Sequence, residues 1–507
     1  MILDGVLVLA AMMYVLAGVF LLVFVSSFGV LLVLYLRTRH QKPVLRQVAD
    51  DDLPSVTVQL PIYNEAHVVS RLIAACARFD YPPDKLTVQV LDDSTDETTA
   101  VIHRTISSLR ANGVHNISLL RRPTRTGYKA GALAYGLARV DTDCIAVFDA
   151  DFVPPADFLR RTLPYFCVDQ RLALVQTRWD HLNADGNWLT RAQALTIDGH
   201  FVVEQIARSR GRLPMSMNGT GGVWRTAALR DAGGWSAATL TEDLDLSYRA
   251  LLRGWDFLYL PDVAVPGEVP PQVQAYKLQQ QRWATGMTEC LIRHGLPLLR
   301  TSRYGWGKKL MGLMHLSQYA VQPLILLMFL LTPVLLWGDM FHRLPNLGVF
   351  GLAGVIPPLI MVASQVELYD DWQRRLLYMP VQGIVGAAVV LNNTCGVLAA
   401  LHRPGVQREF KRTPKFNLTR GDSGWSDSRY MLPVDATTLA EIGLGIYALV
   451  GLALALDRLP ALVMYMASYA LSFFSFAFWN IYQVRRHTRQ IRTIPSCVDP
   501  AAGRAGR

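Results

Sequence analysis

Between Gly5 and Leu36 the chain carries no charged residue. That run exceeds the roughly 20 apolar residues that cross a bilayer. A cleaved export signal has a basic start and a short apolar core. Here Asp4 precedes a long run, and Arg37, Arg39, Lys42 and Arg46 follow it. The pattern predicts an uncleaved first helix with its N-terminus outside and the chain emerging into the cytoplasm. From about Pro54 to Val269 the pattern changes: short apolar runs alternate with helical stretches. These runs are Val56–Asn64, Thr87–Ser94, Ile117–Arg121, Cys144–Asp151, Leu172–Trp179 and Phe257–Val265. Strand–helix alternation predicts an α/β domain with a mostly parallel sheet, whose ligand site lies at the C-terminal ends of its strands.

Beyond Leu310 the chain turns apolar again, with candidate spans at 312–337, 346–366, 377–401, 436–456 and 461–484. Gln382, Asn392 and Asn393 interrupt the third. The basic stretches His402–Arg420 and Arg485–Arg492 both fall inside if that segment lies in the interface instead of crossing. The expected layout is five crossings plus interfacial helices. Its parts are a first helix and basic linker (1–52), a catalytic domain (53–270), interfacial helices (271–310) and membrane helices (311–401). A loop (402–435), a membrane hairpin (436–485) and a cytosolic tail (486–507) follow.

Composition narrows the class. Of 507 residues, 51% are hydrophobic and 18% charged, and mean hydropathy is +0.22. This excludes a disordered chain and argues against a wholly soluble enzyme. Lys+Arg 50 against Asp+Glu 40 leaves +10, which suits a membrane surface or a phosphate-bearing ligand. The six cysteines include no CxxC pair, so neither a disulfide framework nor a zinc site is indicated.

The polar motifs fall where strands end. Tyr63 and Glu65 follow the first, and a tyrosine there either packs or stacks on a nucleobase. Asp92 and Asp93 end the second, as ligands of a base or ribose or as a helix cap. Asp149 and Asp151 follow the fourth run; at i and i+2 of extended chain they point to one side. Two anions so placed call for a cation, and a hard divalent ion shared with substrate phosphates answers that better than a turn. Thr241-Glu242-Asp243 opens a helical stretch, either as a cap or as the carrier of a base. On the next helix Gln279, Arg282 and Trp283 share a face. Amide, fixed cation and flat ring together suit a sugar and a diphosphate. Lys129 is a candidate phosphate contact, although Gly127-Tyr128-Lys129-Ala130-Gly131 is too short for a P-loop.

Taken in order, Asp92-Asp93, Asp149-Ala-Asp151, Thr241-Glu242-Asp243 and Gln279-x-x-Arg282-Trp283 resemble the motif set of processive family-2 glycosyltransferases, which include cellulose, chitin and hyaluronan synthases. Phe148–Phe152, Leu174–Trp179, Asn218–Arg225 and Arg249–Trp255 look closest to the cellulose-synthase-like A and C branch, which makes mannan, glucomannan and glucan backbones. The resemblance implies a GT-A catalytic domain and an inverting, metal-dependent hexosyltransferase with Mg²⁺ or Mn²⁺. Donor-side contacts would be Tyr63, Glu65, Asp92, Asp93, Lys129, Asp149, Asp151 and Arg282, with the metal on Asp151 and Asp149. Asp243, beside Glu242, would be the base. Gln279, Trp283, Gly219 and Thr220 would meet the acceptor. Phe410, Thr413 and Lys415 lie in a segment similar to a gating loop, where Arg412 replaces the usual Val.

The implied partners are GDP-mannose or UDP-glucose, a polysaccharide acceptor and a lipid membrane (plasma or inner), with no nucleic acid and no protein partner indicated. The expected activity is extension and export of a β-1,4-linked polymer; the alternative is addition of one sugar to a lipid carrier. A transporter with a degenerate sugar-nucleotide domain is a third reading, against which all four carboxylate motifs speak. Gln318, Gln322, Gln365, Asn392 and Asn393 lie in apolar surroundings. They either line an export path or bond neighbouring helices.

Overall fold

The computed structural model describes residues 2–45, 47–345, 348–406, 408–418 and 430–493. Seven strands form one sheet: β1 (Val56–Ile62), β2 (Leu86–Asp92), β3 (Ile117–Leu120), β4 (Cys144–Val147), β5 (Leu172–His181), β6 (Gly222–Arg225) and β7 (Asp256–Gly267). Their order is β3-β2-β1-β4-β6-β5-β7. All six expected strands are present, and the α/β, mostly parallel architecture of a GT-A domain is the one observed. The addition is β6, which runs antiparallel between β4 and β5. Since Val147 pairs with Gly222, the segment entering β6 starts at the edge where β4 ends. The C-terminal ends of β1, β2, β4, β5 and β7 share that edge.

Both faces of the sheet are covered. Val58, Leu60 and Val88 pack with Leu72, Ile73, Ile102 and Phe158 on one side. Ile145, Val147 and Leu174 pack with Leu133, Leu229 and Leu246 on the other. Strands buried on both faces favour continuous apolar runs, as β4 has; β1 and β2 each carry a Thr and a Gln, and Gln59 donates to Gln89 Oε1 at 3.0 Å.

Around this domain stand the apolar helices. The first, Ile2–Thr38, has 37 residues, about 56 Å at the helical rise and longer than a bilayer core. Its upper part packs Leu7, Ala10 and Tyr14 on Leu335 and Met340. Its lower part packs Leu31 and Tyr35 on Phe201 and Ile206 of the catalytic domain. Among the described residues three helices are long and apolar enough to cross a membrane: Leu3–Thr38, Thr437–Arg458 and Pro460–Arg486. The bent pair Trp372–Ala388 and Val390–His402 makes a fourth if it is one span, so length and composition support three or four of the expected five. The 312–337 run divides into Trp306–Leu316 and Gln322–Trp337, and the second half of 346–366 forms Ile356–Leu368; these helices are short. A 16-residue helix spans about 24 Å, less than the hydrocarbon thickness. The 377–401 segment is interrupted as its polar residues suggested, with a 41° bend between Trp372–Ala388 and Val390–His402. The final helix, Val463–Thr493, continues past the expected start of the tail at 486. Residues 494–507 lie outside the described residues. The five described cysteines are free.

Candidate active site

A cavity of about 700 Å³ opens at the C-terminal edge of the sheet and continues between the apolar helices. Tyr63, Glu65, Asp93, Lys129, Asp149, Asp151, Gly219, Glu242, Asp243, Gln279, Arg282, Trp283, Phe410, Thr413 and Lys415 all line it. The structure therefore brings together every expected site residue except two. Asp92 is buried, accepting from Ser94 N (2.9 Å) and Thr99 Oγ1 (2.7 Å). It shapes the turn after β2 and does not face the cavity, which corrects its place among the donor contacts. Thr220 is also fully buried; its hydroxyl accepts from Asp149 N at 3.0 Å, so it orients the Asp149 segment instead of meeting an acceptor.

The carboxylates are held by lysines. Lys129 Nζ lies 2.7 Å from Asp149 Oδ1 and 3.4 Å from Glu242 Oε1, and donates to Gly219 O at 3.0 Å. Burial disfavours that ammonium, but the charges of Asp149 and Glu242 outweigh it and hold its pKa high. Lys129 thus neutralises the carboxylate cluster, leaving its expected phosphate contact to compete with these partners. Burial raises the Asp149 pKa against the pull of Lys129.

Asp243 sits in the first turn of the helix Glu242–Leu252, where the helix dipole favours an anion. Burial and then the neighbouring Glu242 charge nevertheless push its pKa up to about 7. A carboxylate poised there can accept a proton near neutrality. Thr241 supplies no side-chain cap to this helix, so the capping alternative fails. Instead Thr241 packs against Gly286, where an added Cβ would stand 2.6 Å from Thr241 Cγ2. The bare glycine lets the helix Val273–Arg300, which carries Gln279, Arg282 and Trp283, close on the base-bearing turn. Asp245, in the same acidic run, is a packing residue: it is buried against His294 (2.8 Å) and Arg249 (2.8 Å).

On the nucleoside side Arg125 stacks its guanidinium 3.4 Å from the Tyr63 ring centroid. Asp93 is gripped by Arg122, whose Nε donates to Oδ1 at 2.8 Å. Burial lifts the Glu65 pKa to about 7, with Arg412 working against it.

The loop after His402 is folded onto the site. Arg282 donates to Lys411 O (3.0 Å) and lies 4.4 Å from the Phe410 ring centroid. Lys415 Nζ meets Asp151 Oδ2 at 2.6 Å. Glu268, absent from the sequence expectations, receives Phe416 N and Leu418 N, each at 3.0 Å, together with Arg71 at 2.8 Å. Its position just past β7 is the one signal that could have singled it out. Gln407 and residues 419–429 of the expected loop lie outside the described residues.

Of the amides in the apolar part, Gln318, Gln322 and Asn393 line the cavity. Gln365 bonds Asp198 (2.9 Å) and Asn392 bonds Lys277 O (2.9 Å), as helix-to-neighbour contacts. Gln318 does both, lining the cavity and donating to Glu204 at 2.8 Å.

Asp149 and Asp151 offer hard oxygen donors suited to Mg²⁺ or Mn²⁺. No group of three His, Cys, Asp or Glu side chains poised for a metal occurs among the described residues. That donor set fits an ion that takes its remaining ligands from a diphosphate and water.

Residues 54–286 match the family model described as Glycosyltransferase like family 2. The chain is similar to a probable glucomannan 4-beta-mannosyltransferase 11 of Oryza sativa subsp. japonica, 35% identical over 398 residues, spanning 76% of this chain and 68% of that one. It is also similar to glucomannan 4-beta-mannosyltransferase 9 of Arabidopsis thaliana, 32% identical over 445 residues, spanning 86% and 82%. Among solved structures it is similar to the mannosyltransferase PcManGT from Pyrobaculum calidifontis, in complex with GDP-Man and Mn²⁺. The TM-score there is 0.49 and the identity 19%, covering 76% of this chain and 99% of that one.

Proposed function

The chain belongs to the family-2 glycosyltransferases, and from that premise we propose that it is an inverting, metal-dependent hexosyltransferase that extends a β-1,4-linked mannan or glucomannan and passes it into the membrane. The single observation that carries this reading is the continuity of the cavity. One cavity is lined both by Asp149, Asp151 and Asp243 and by Gln318, Gln322 and Asn393 among the apolar helices. A polymer of polar sugars needs such a lining to enter hydrocarbon, whereas a site for one sugar on a lipid needs only an apolar mouth.

In this mechanism Tyr63 and Arg125 hold the nucleoside, with Asp93 fixed beside them by Arg122. Asp149 and Asp151 would hold the divalent ion, which would offset diphosphate charge. Arg282 and Lys415 add fixed positive charge for the departing diphosphate. Trp283 and Gln279 place the acceptor sugar, and Asp243 takes the proton from its attacking hydroxyl. One base suffices because inversion forms no covalent sugar–enzyme bond. A cytosolic catalytic domain and GDP-mannose as donor complete the proposal. The mannosyltransferase names of the relatives favour mannose over glucose.

The test is product size. Purified protein supplied with labelled GDP-mannose or UDP-glucose should release nucleotide diphosphate and build a ladder of saccharides cleaved by a β-mannanase. A single-sugar lipid product alone would replace this reading with the non-processive one.

A further inference from the structure

The same cavity is lined by a second polar cluster centred on His200 and Glu204, which none of the motifs above contains. Gly199–Glu204 forms a π-helical turn, a geometry often retained for a functional reason. From it Glu204 accepts from His200 Nδ1 at 2.7 Å, from Arg208 Nε at 2.9 Å and from Gln318 Nε2 at 2.8 Å. Burial disfavours the Glu204 carboxylate, but the Arg208 charge and the hydrogen bond from His200 outweigh it and hold its pKa well below the usual range. An ionised Glu204 accepts from Nδ1–H of His200, and in that tautomer of the neutral ring Nε2 is the acceptor. At Nε2 stands Asn218 Nδ2, 3.0 Å away, and Asn218 Oδ1 is occupied by Gln205 Nε2. The amide is therefore fixed in one orientation from both sides.

Asn218 opens the short loop that enters β6. One residue on, Gly219 has φ +79, its carbonyl receives Lys129, and a Cβ there would stand 3.5 Å from Asp243 Oδ2. The next residue, Thr220, receives Asp149 N. The loop thus bonds Lys129 and the Asp149 backbone N–H, and Gly219 presents its bare Cα face to Asp243, where a side chain would meet the carboxylate. Gln318 ties the same network to the membrane part.

We infer that His200 is a positioning residue for sugar transfer: through Asn218 it sets the Gly219 loop against Asp243, so that the acceptor hydroxyl and not water meets the base. This rests on the transfer reading above. The inference predicts a change in partition between transfer and hydrolysis, where a general loss of packing would lower both together.

The experiment measures sugar transferred per nucleotide diphosphate released, using GDP-mannose, UDP-glucose and a β-1,4-linked oligosaccharide acceptor. His200→Asn keeps a donor for Glu204 but removes the acceptor for Asn218. The transferred fraction should fall about tenfold, near the share of a barrier that one hydrogen bond supplies, while donor KM stays within about twofold. His200→Gln places an amide oxygen near the Nε2 position and should restore most of the fraction. Equal fractions in wild type and both variants, a Gln variant as impaired as the Asn variant, or parallel loss of hydrolysis would each overturn the inference. Wild-type protein that hydrolyses donor yet transfers to no saccharide overturns the transfer reading as well, and the unmodified control identifies that case.

Discussion

Lys415 Nζ stands 2.6 Å from Asp151 Oδ2, so a loop lysine occupies an oxygen that the DxD motif offers to a cation. An ammonium and a divalent ion on one carboxylate oppose each other. Lys415→Ala should therefore bind Mn²⁺ more tightly than wild type in the absence of nucleotide. An ion pair of about 1–2 kcal/mol corresponds to roughly 5–30-fold. A Mn²⁺ titration read by electron paramagnetic resonance checks this. The same variant should raise donor KM, because one of the cations facing the diphosphate is gone. Unchanged Mn²⁺ affinity would separate the loop from the metal.

Asp243 is the proposed base, and its charge state should set the rate. Asp243→Asn should keep donor binding and lose about 10²–10⁴ in transfer rate, the usual contribution of a positioned base. With its pKa pushed up to about 7, the active, deprotonated form predominates above that pH and is lost as pH falls through it. The pH profile of kcat/KM should show this acid limb. Glu65 titrates in the same range, lifted first by burial. Glu242→Gln separates the two, because the Glu242 charge raises Asp243, whereas Glu65 is raised by burial and by Asp151 and Asp149. The Asp243 limb should move to lower pH, and an unmoved limb would deny Asp243 the role.

Much of this site was legible because its chemistry sits on regular elements. Gln279, Arg282 and Trp283 were placed on one helical face by spacing alone, and the cavity receives all three. The six parallel or long strands announced themselves as apolar runs. The strand β6 did not: Gly222–Arg225 has four residues and follows Asn218-Gly-Thr-Gly, which reads as a turn. Asp92 was misplaced because adjacent carboxylates in one motif look alike in sequence. The end of β2 turns Asp93 toward the cavity and Asp92 inward. Glu268, Arg71 and Arg122 went unseen because their partners lie 150, 197 and 29 residues away. The run 312–337 reads as one span because hydropathy does not register the helix break at 317–321.

Glu268 fastens the loop through two backbone N–H groups and an arginine. Glu268→Ala leaves Phe416 N and Leu418 N without their acceptor. Hydrogen bonds to a charged group contribute about 1.5–3 kcal/mol each. Amide hydrogen exchange at Phe416 and Leu418 should accelerate by at least about tenfold, with donor KM rising alongside. Exchange as slow as in wild type would show that other contacts hold the loop.

The base-bearing turn depends on Gly286 as much as on any charged residue. A Cβ at that position would meet Thr241 N and Oγ1 at 2.8 Å and Cγ2 at 2.6 Å, distances that backbone cannot accommodate without shifting. Gly286→Ala must therefore drive the helix Val273–Arg300 away from Thr241, and Arg282 and Trp283 move with it. Such overpacking destabilises by about 1–3 kcal/mol. Its catalytic consequence should be larger than its thermal one, because Asp243 and Trp283 sit on the two elements being separated. A misplacement near 1 Å can lower turnover about 10²-fold. The expected outcome is a small drop in thermal midpoint, nucleotide binding close to wild type, and transfer reduced by about two orders of magnitude. If transfer falls only in proportion to folded protein, the close approach serves packing and not the geometry of the base.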